Sequence, residues 1–244
     1  MVRIGNAVAN SKGKATGDAL GNQNGKELKI QDYYNNATKP WTHVIRAKKS
    51  SVAEKIAVAM EQACANMHIG YSQVSVERVT LYNLAKRKKW DISKVDIDCA
   101  CDCSSLVSVC VNASGIEVSK DMYTGNELNL LERTGQFEIY TDAKHIANSK
   151  YLKRGDILLK SGHTAIVLDD GIETMAEASK PSYFAQYKGK SASLVDGLSV
   201  IGQDSSFSYR KKIAKANGIT LYIGTASQNT KLLDLLKQGK LIKP

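Results

Sequence analysis

The sequence predicts an α+β protein in which a helix opening on a cysteine packs against an antiparallel sheet, with a small helical segment at the C-terminus. Three observations carry that expectation. Helical patterns dominate the first half of the chain and strand patterns the second. Asp102-Cys103-Ser104-Ser105-Leu106-Val107 reads as a loop that ends in a cysteine and opens a helix. Gly162-His163-Thr164-Ala165-Ile166-Val167 reads as a strand that begins with a histidine.

Taken in order, residues 1–48 read mainly as loop, with Gly13, Gly17, Gly21 and Gly25 recurring and a short strand at Val44 to Arg46. Tyr33, Tyr34 and Trp41 are expected to line a groove. Ser51 and Glu54 stand three apart, a capping-box pattern, and the helix that follows places Val52, Ile56, Met60 and Ala63 on one face. A second helix is expected from about Val74 to Lys89. The helix opening at Cys103 buries Leu106, Val107, Cys110 and Val111 and ends where Gly115 suits a left-handed cap. Thr124 and Glu127 suggest a further capped helix ending at Gly135, before a strand at Phe137 to Tyr140. Ile157-Leu158-Leu159 is a short strand, Lys160-Ser161-Gly162 turns the chain, and His163 to Leu168 runs back. Asp169-Asp170-Gly171 signals a hairpin into a third strand, Ile172 to Ala178. Residues 1–204 are expected to form one domain and residues 205–244 a small helical segment that docks on it or binds the wall. In that segment Thr225 caps a helix whose stripe is Leu232, Leu233, Leu235 and Leu236, and Ile219 to Ile223 is extended.

A cysteine at a helix N-terminus and an imidazole beside it suit nucleophilic catalysis. Free N–H groups and the helix dipole favour a thiolate, and a neighbouring imidazolium favours it further. The histidine then serves as base and acid. On this reading Cys103 is the nucleophile and His163 the base. Glu177 is the preferred orienter of the imidazole, with Glu173, Asp169 and Asp170 as rivals. Asp102 and Ser104 flank the nucleophile. Gln23 and Tyr34 are candidates to complete an oxyanion hole with the Cys103 N–H, and Trp41 is a candidate to contact substrate. Each motif alone is more often structural than catalytic; their order and predicted elements together favour catalysis.

The Asp102–Val107 motif resembles the nucleophile motif of NlpC-type cell-wall peptidases of the papain superfamily. Arg154-Gly155-Asp156 before a strand, then Gly162-His163, resembles the histidine motif of the same family. Met175-Ala176-Glu177-Ala178-Ser179 is similar to the glutamate segment of CHAP amidases, and Met175 is nearest the spacing of the usual NlpC third residue. Gly21 to Glu27, Tyr33-Tyr34-Asn35 and Lys39-Pro40-Trp41 resemble bacteriophage lysins. The resemblance covers roughly residues 1–180. It implies a papain-like cysteine hydrolase without cofactor that cleaves amide bonds of peptidoglycan. It also implies a phage-encoded protein, made in the host cytoplasm and acting at the wall after release.

Composition sets the outer limits. The 244 residues carry a net charge of +10, which suits anionic wall polymers as well as the carboxylates of peptidoglycan. No nucleic-acid reader motif is present. No apolar run reaches the roughly 20 residues of a membrane span, and the polar N-terminus lacks the apolar region of a secretory signal. The 5 cysteines do not form a disulfide scaffold pattern. Cys99, Cys101 and Cys103 are too closely spaced for a usual zinc site, so no metal is expected, though Cys99 or Cys101 is a candidate for a reversible disulfide. Two other functions fit less well: an inactive wall-binding or virion protein, and a cysteine protease or acyl transferase acting on protein.

Overall fold

The computed structural model describes residues 1–10, 12–17, 20–21, 23–173 and 181–244. The chain divides into two compact units, Met1–Ala176 and Glu177–Pro244.

The first unit is α+β. Its strands are β1 (Arg3–Ala7), β2 (Leu28–Asp32), β3 (His43–Ala47), β4 (Ile69–Tyr71), β5 (Cys99–Cys101), β6 (Phe137–Tyr140), β7 (Ile157–Lys160) and β8 (His163–Val167). Its helices are α1 (Ser50–Ala65), α2 (Thr80–Arg87), α3 (Cys103–Ala113), α4 (Glu127–Arg133) and α5 (Ala143–Ile146). Six strands form one antiparallel sheet in the order β2-β1-β8-β7-β3-β6, and β4 and β5 form a separate parallel pair.

Side chains alternate across a strand, and both faces of the large sheet are buried. Ala7, Leu28, Ile45, Ile157, Leu159 and Ile166 join the core that α1 and α3 close. Ile4, Val44, Leu158, Ala165 and Val167 pack on the other face with Trp41 and Leu152. This double burial explains why β1 escapes a sequence reading that assigned residues 1–48 mainly to loop. Arg3-Ile4-Gly5-Asn6-Ala7 buries every residue but the first, so it shows no apolar–polar alternation, and it has one β-branched residue.

The strand expected over Ile172 to Ala178 lies mostly outside the described residues, and its first two residues do not continue the sheet. Ile172 and Glu173 are helical, and the chain turns back on the preceding loop: Gly171 N–H donates to Leu152 O, and Glu173 N–H to Lys150 O. The free side of β8 is taken by β1 instead. Helix boundaries differ too. Lys49 is the N-cap of α1, without a side-chain cap bond, and Glu54 is drawn away to Arg154. The second helix starts at Thr80, six residues later than its pattern suggests. Asn126, not Thr124, precedes α4, and Glu127 points inward, fully buried.

Arg154-Gly155-Asp156 locks α1 to the sheet. Arg154 spans Glu54 and Glu61 of α1 at 2.8 Å each. Gly155 has φ +85°, and a Cβ there would lie 2.2 Å from Ala53 O, so only glycine fits. Asp156, wholly buried, takes two bonds from Arg46, at 2.7 and 2.6 Å.

The second unit has its own core. Helices α6 (Leu194–Val200), α7 (Phe207–Ala216) and α8 (Ala226–Lys237) enclose Leu194, Leu198, Ile213, Tyr222, Leu232, Leu233 and Leu236. Thr225 caps α8 in a capping box with Gln228. The helix α6 lies before residue 205, so this unit is larger than the 205–244 segment expected. Leu194 and Leu198, the two large buried side chains of this short helix, tie it to α8. Residues 219–223 form no strand, and Leu221 and Ile223 are exposed. No described helix in either unit is long and apolar enough to cross a membrane.

Removing one partner of a buried ion pair strands the other charge, at a cost of about 3–5 kcal/mol. Asp156→Asn is therefore expected to destabilise the first unit by about that amount. The check is urea unfolding followed by a probe in this unit; an unchanged midpoint would show that the Arg46–Asp156 pair does not hold β3 to the turn before β7.

Candidate active site

Helix α3 is fixed at its N-terminus by a full capping box. Asp102 Oδ1 accepts from Ser105 N–H at 2.8 Å, and Ser105 Oγ accepts from Asp102 N–H at 2.8 Å. Asp102 is itself held by Arg78, with Nε to Oδ2 at 2.5 Å and Nη2 to Oδ1 at 3.0 Å. The same Nη2 also donates a short bond to Met122 O. Cys103 is thus the first residue of a rigid helix, 7 % exposed. Its own N–H lies in the first turn and has no partner within the helix.

The start of β8 faces this sulfur. Strand β1 pairs with β8 only at Ile4–Val167 and Gly5–Ile166, which leaves the first residues of β8 open on that side. The Thr164 N–H donates to the Cys103 sulfur, and the Ser104 side chain also bonds it. His163 is the next residue, so the structure brings the two motifs to one place.

Burial first, then the charges of Asp102 and Glu127, push the Cys103 thiol up to about 12. Burial first, then the Lys160 ammonium, pull His163 down to about 4. The sequence suggests a thiolate–imidazolium pair; the folded site favours a neutral thiol and a neutral imidazole. Desolvation disfavours both ions.

Around this pair lie aromatic rings. The His163 ring is 5.9 Å from Trp41 and Trp41 is 5.6 Å from Tyr34, between centroids. Lys160 Nζ sits 4.9 Å over Tyr34 and 4.5 Å over Trp41. Burial, and after it the influence of Cys103, raises the Tyr34 phenol. Trp41 is buried, not a free groove wall, and its Nε1 donates to Tyr34 O at 2.6 Å. One edge of it still borders a cleft shared with Asn35, Pro40, Thr42 and Ile146. Gln23 is buried in its own loop, donating to Leu28 O and accepting from Gly25 N–H.

The rivals for the third catalytic position are committed elsewhere. Asp169 binds Arg3 through both oxygens, and Asp170 accepts from Arg154 N–H. Glu177 and Met175 lie outside the described residues. Among the described residues no carboxylate bonds the His163 ring.

Several site residues leave little trace in the sequence. Tyr71, buried and bonded to Gln73, is raised by burial and then by Cys103. Lys160 ends β7 like any surface lysine. Glu127 looks like a helix-start acid, yet it is buried against Thr164 at 2.7 Å, where its ionised form would raise the Cys103 thiol further. A glutamate among apolar residues Met122, Leu128 and Leu131 was the available hint. All five cysteines are free, and the Cys99 and Cys101 sulfurs face the carbonyls of His68 and Gly70 on the β4 side. Among the described residues no group of three or more His, Cys, Asp or Glu is placed to hold a metal.

Fold and site together define an α+β protein with a cysteine at a capped helix start and a histidine at the adjoining strand start. The chain belongs to the endolysin-like domain family, whose model matches residues 4–174. It is also similar to the L-alanyl-D-glutamate peptidase of Listeria phage A118, at 49% identity over 65 residues, 27% of this chain and 22% of that protein. It is 54% identical over 46 residues to an endolysin of Listeria phage A511, 19% of this chain and 14% of that one. The matches therefore span less than a quarter of each relative. No solved structure matches.

The His163 imidazole is expected to titrate near pH 4 in the folded protein, by NMR of the ring protons. Lys160→Gln should move that value up, since it removes a repelling cation. The folded state binds fewer protons than the unfolded state between the ordinary value and the folded one. Stability is therefore lost as pH falls from about 6.5 through about 4. A titration near 6.5 in both proteins would show that the ring is not desolvated.

Proposed function

We propose that the first unit is a papain-like cysteine hydrolase that cleaves an amide bond of bacterial peptidoglycan, as a peptidase or amidase of phage-lysin type. The observation that carries this is the Cys103 sulfur, at the first residue of α3, accepting from the Thr164 N–H next to His163. Membership of the endolysin-like domain family supports the substrate class, as does the name of the Listeria phage A118 relative.

The chemistry follows from the neutral pair. His163 takes the Cys103 proton as the sulfur attacks the amide carbon, so proton transfer and attack are coupled. The Cys103 N–H and the Tyr34 hydroxyl are the donors for the developing oxyanion, an interaction whose removal typically costs about 2.7–4 kcal/mol. The imidazolium then protonates the leaving amine, and water hydrolyses the thioester. Glu177 is assigned as orienter of the imidazole from the sequence pattern. Asp102 and Ser104 hold the nucleophile, and the cleft beside Trp41 takes substrate.

The second unit is assigned to wall attachment. Eleven of the 34 Lys and Arg, but four of the 24 Asp and Glu, fall within residues 177–244. Phe207, tilted against Tyr222 with ring centroids 5.6 Å apart, is 50% exposed, and Leu221 and Ile223 on either side of Tyr222 are exposed. A basic surface with exposed aromatic and aliphatic side chains suits the anionic polymers and sugars of a wall.

Wild type is expected to clear purified bacterial walls and release fragments with new amine and carboxyl ends. Cys103→Ala and His163→Ala should each lower that rate by about 10³-fold or more. Turbidity and fragment mass spectrometry read the result. Intact walls with wild type, or clearing by Cys103→Ala, would remove the hydrolase reading. Independently, Phe207→Ser with Leu221→Ser should reduce sedimentation with walls while leaving cleavage of soluble muropeptides unchanged; undiminished sedimentation would remove the attachment role from this patch.

A further inference from the structure

One buried carboxyl has no place in the mechanism above. Glu127 is 0% exposed, Oε1 lies 2.7 Å from Thr164 Oγ1, and Oε2 has no partner. Thr164 Oγ1 also lies 2.9 Å from Leu158 O. A hydroxyl carries one proton. A carbonyl accepts only, so if Glu127 were ionised, two acceptors would compete for that proton and one would go unmet. If Glu127 is a neutral acid, it donates to Thr164 Oγ1, and Thr164 donates onward to Leu158. Every contact is then satisfied in one direction.

We propose that Glu127 is a protonated positioning residue, whose acid proton fixes Thr164 and thereby the Thr164 N–H that holds the Cys103 sulfur. The proposal rests on the reading of Cys103 as nucleophile. Glu127 does not touch the reacting atoms; it acts through Thr164 and through its own lack of charge. Its ionisable neighbours are Cys103 and Asp102 of the α3 start, the latter already neutralised by Arg78. From β6, which also packs on α4, comes Glu138, turned to the Tyr140 hydroxyl. Among the described residues no cation bonds Glu127. Burial and the Asp102 charge push it to about 8, the Thr164 bond opposing. Ionisation would put a negative charge beside the sulfur and reverse the Thr164 hydroxyl, so the site is competent below that range and impaired above it.

The test is alkylation of Cys103 by iodoacetamide across pH 6 to 10, in the full-length protein, with the modified cysteine located by mass spectrometry. Glu127→Gln is the chosen variant, because its amide donates to Thr164 as the neutral acid does and cannot ionise. Thiolate formation should make the rate rise about tenfold per pH unit in Glu127→Gln. In wild type the same rise should be interrupted by a severalfold lag centred near pH 8. Superimposable profiles would overturn the proposal. A second measurement needs no variant to fold: in wild type labelled with ¹³C at glutamate carboxyls, one signal should titrate near pH 8, and titration of every glutamate in the ordinary acid range would overturn it. Neither measurement uses walls. A wall assay that fails while the lag persists rejects the hydrolase reading alone, and clearing of walls without the lag rejects the role of Glu127 alone.

Discussion

The site depends on one constraint, the capped start of α3 held against the open start of β8. Asp102 does three things at once: it caps the helix, answers Ser105, and neutralises the buried Arg78. A nucleophile at the first position of a helix needs that helix to begin at one residue and no other. A frayed end would move the sulfur by more than the length of the Thr164 hydrogen bond. Capping is worth about 0.5–2 kcal/mol for the helix alone, but its larger effect is positional. The opposite partner, β8, is held by β7 on one side and by β1 on the other. Because β1 stops short of Thr164, the backbone there is free to serve the sulfur.

The same closeness that aligns the groups removes water from them. Cys103 and Glu127 are pushed to hold their protons, and His163 to stay without one. The resting site is therefore uncharged at its centre, flanked by a neutralised Asp102 on one side and the Lys160 ammonium on the other. In the proposed mechanism, charge appears only as the proton leaves the sulfur for His163. At that moment the first-turn N–H groups and the Tyr34 hydroxyl have something to stabilise, which is where donors accelerate a reaction.

Much of this was legible in the chain and some was not, for physical reasons. The helix α3, its glycine stop at Gly115 and the β7–β8 hairpin follow from short-range patterns that the structure keeps. Cys103 and His163 were readable because each sits at an element boundary marked by polar or glycine neighbours. Strand β1 was hidden because burial on both faces erases alternation. The run after β8 reads as a strand, but its first two residues, Ile172 and Glu173, are helical, and the rest of it lies outside the described residues. Glu127 was misread because a helix-start acid and a buried acid have the same letter; only the packing of α4 on β8 separates them. The second unit was underestimated because α6 contributes two apolar residues, too few to show a period, although Leu194 and Leu198 complete the core of the leucine helix.

The central claim is that Cys103 forms a covalent acyl intermediate during turnover. Rapid acid quench of the protein acting on a soluble peptidoglycan stem peptide, followed by peptide mass spectrometry, tests it most directly. The account predicts an acyl thioester on the Cys103 peptide that appears before product and disappears when substrate is exhausted. Product formed at full rate with Cys103 never acylated, or an acyl group found on another residue, would contradict it.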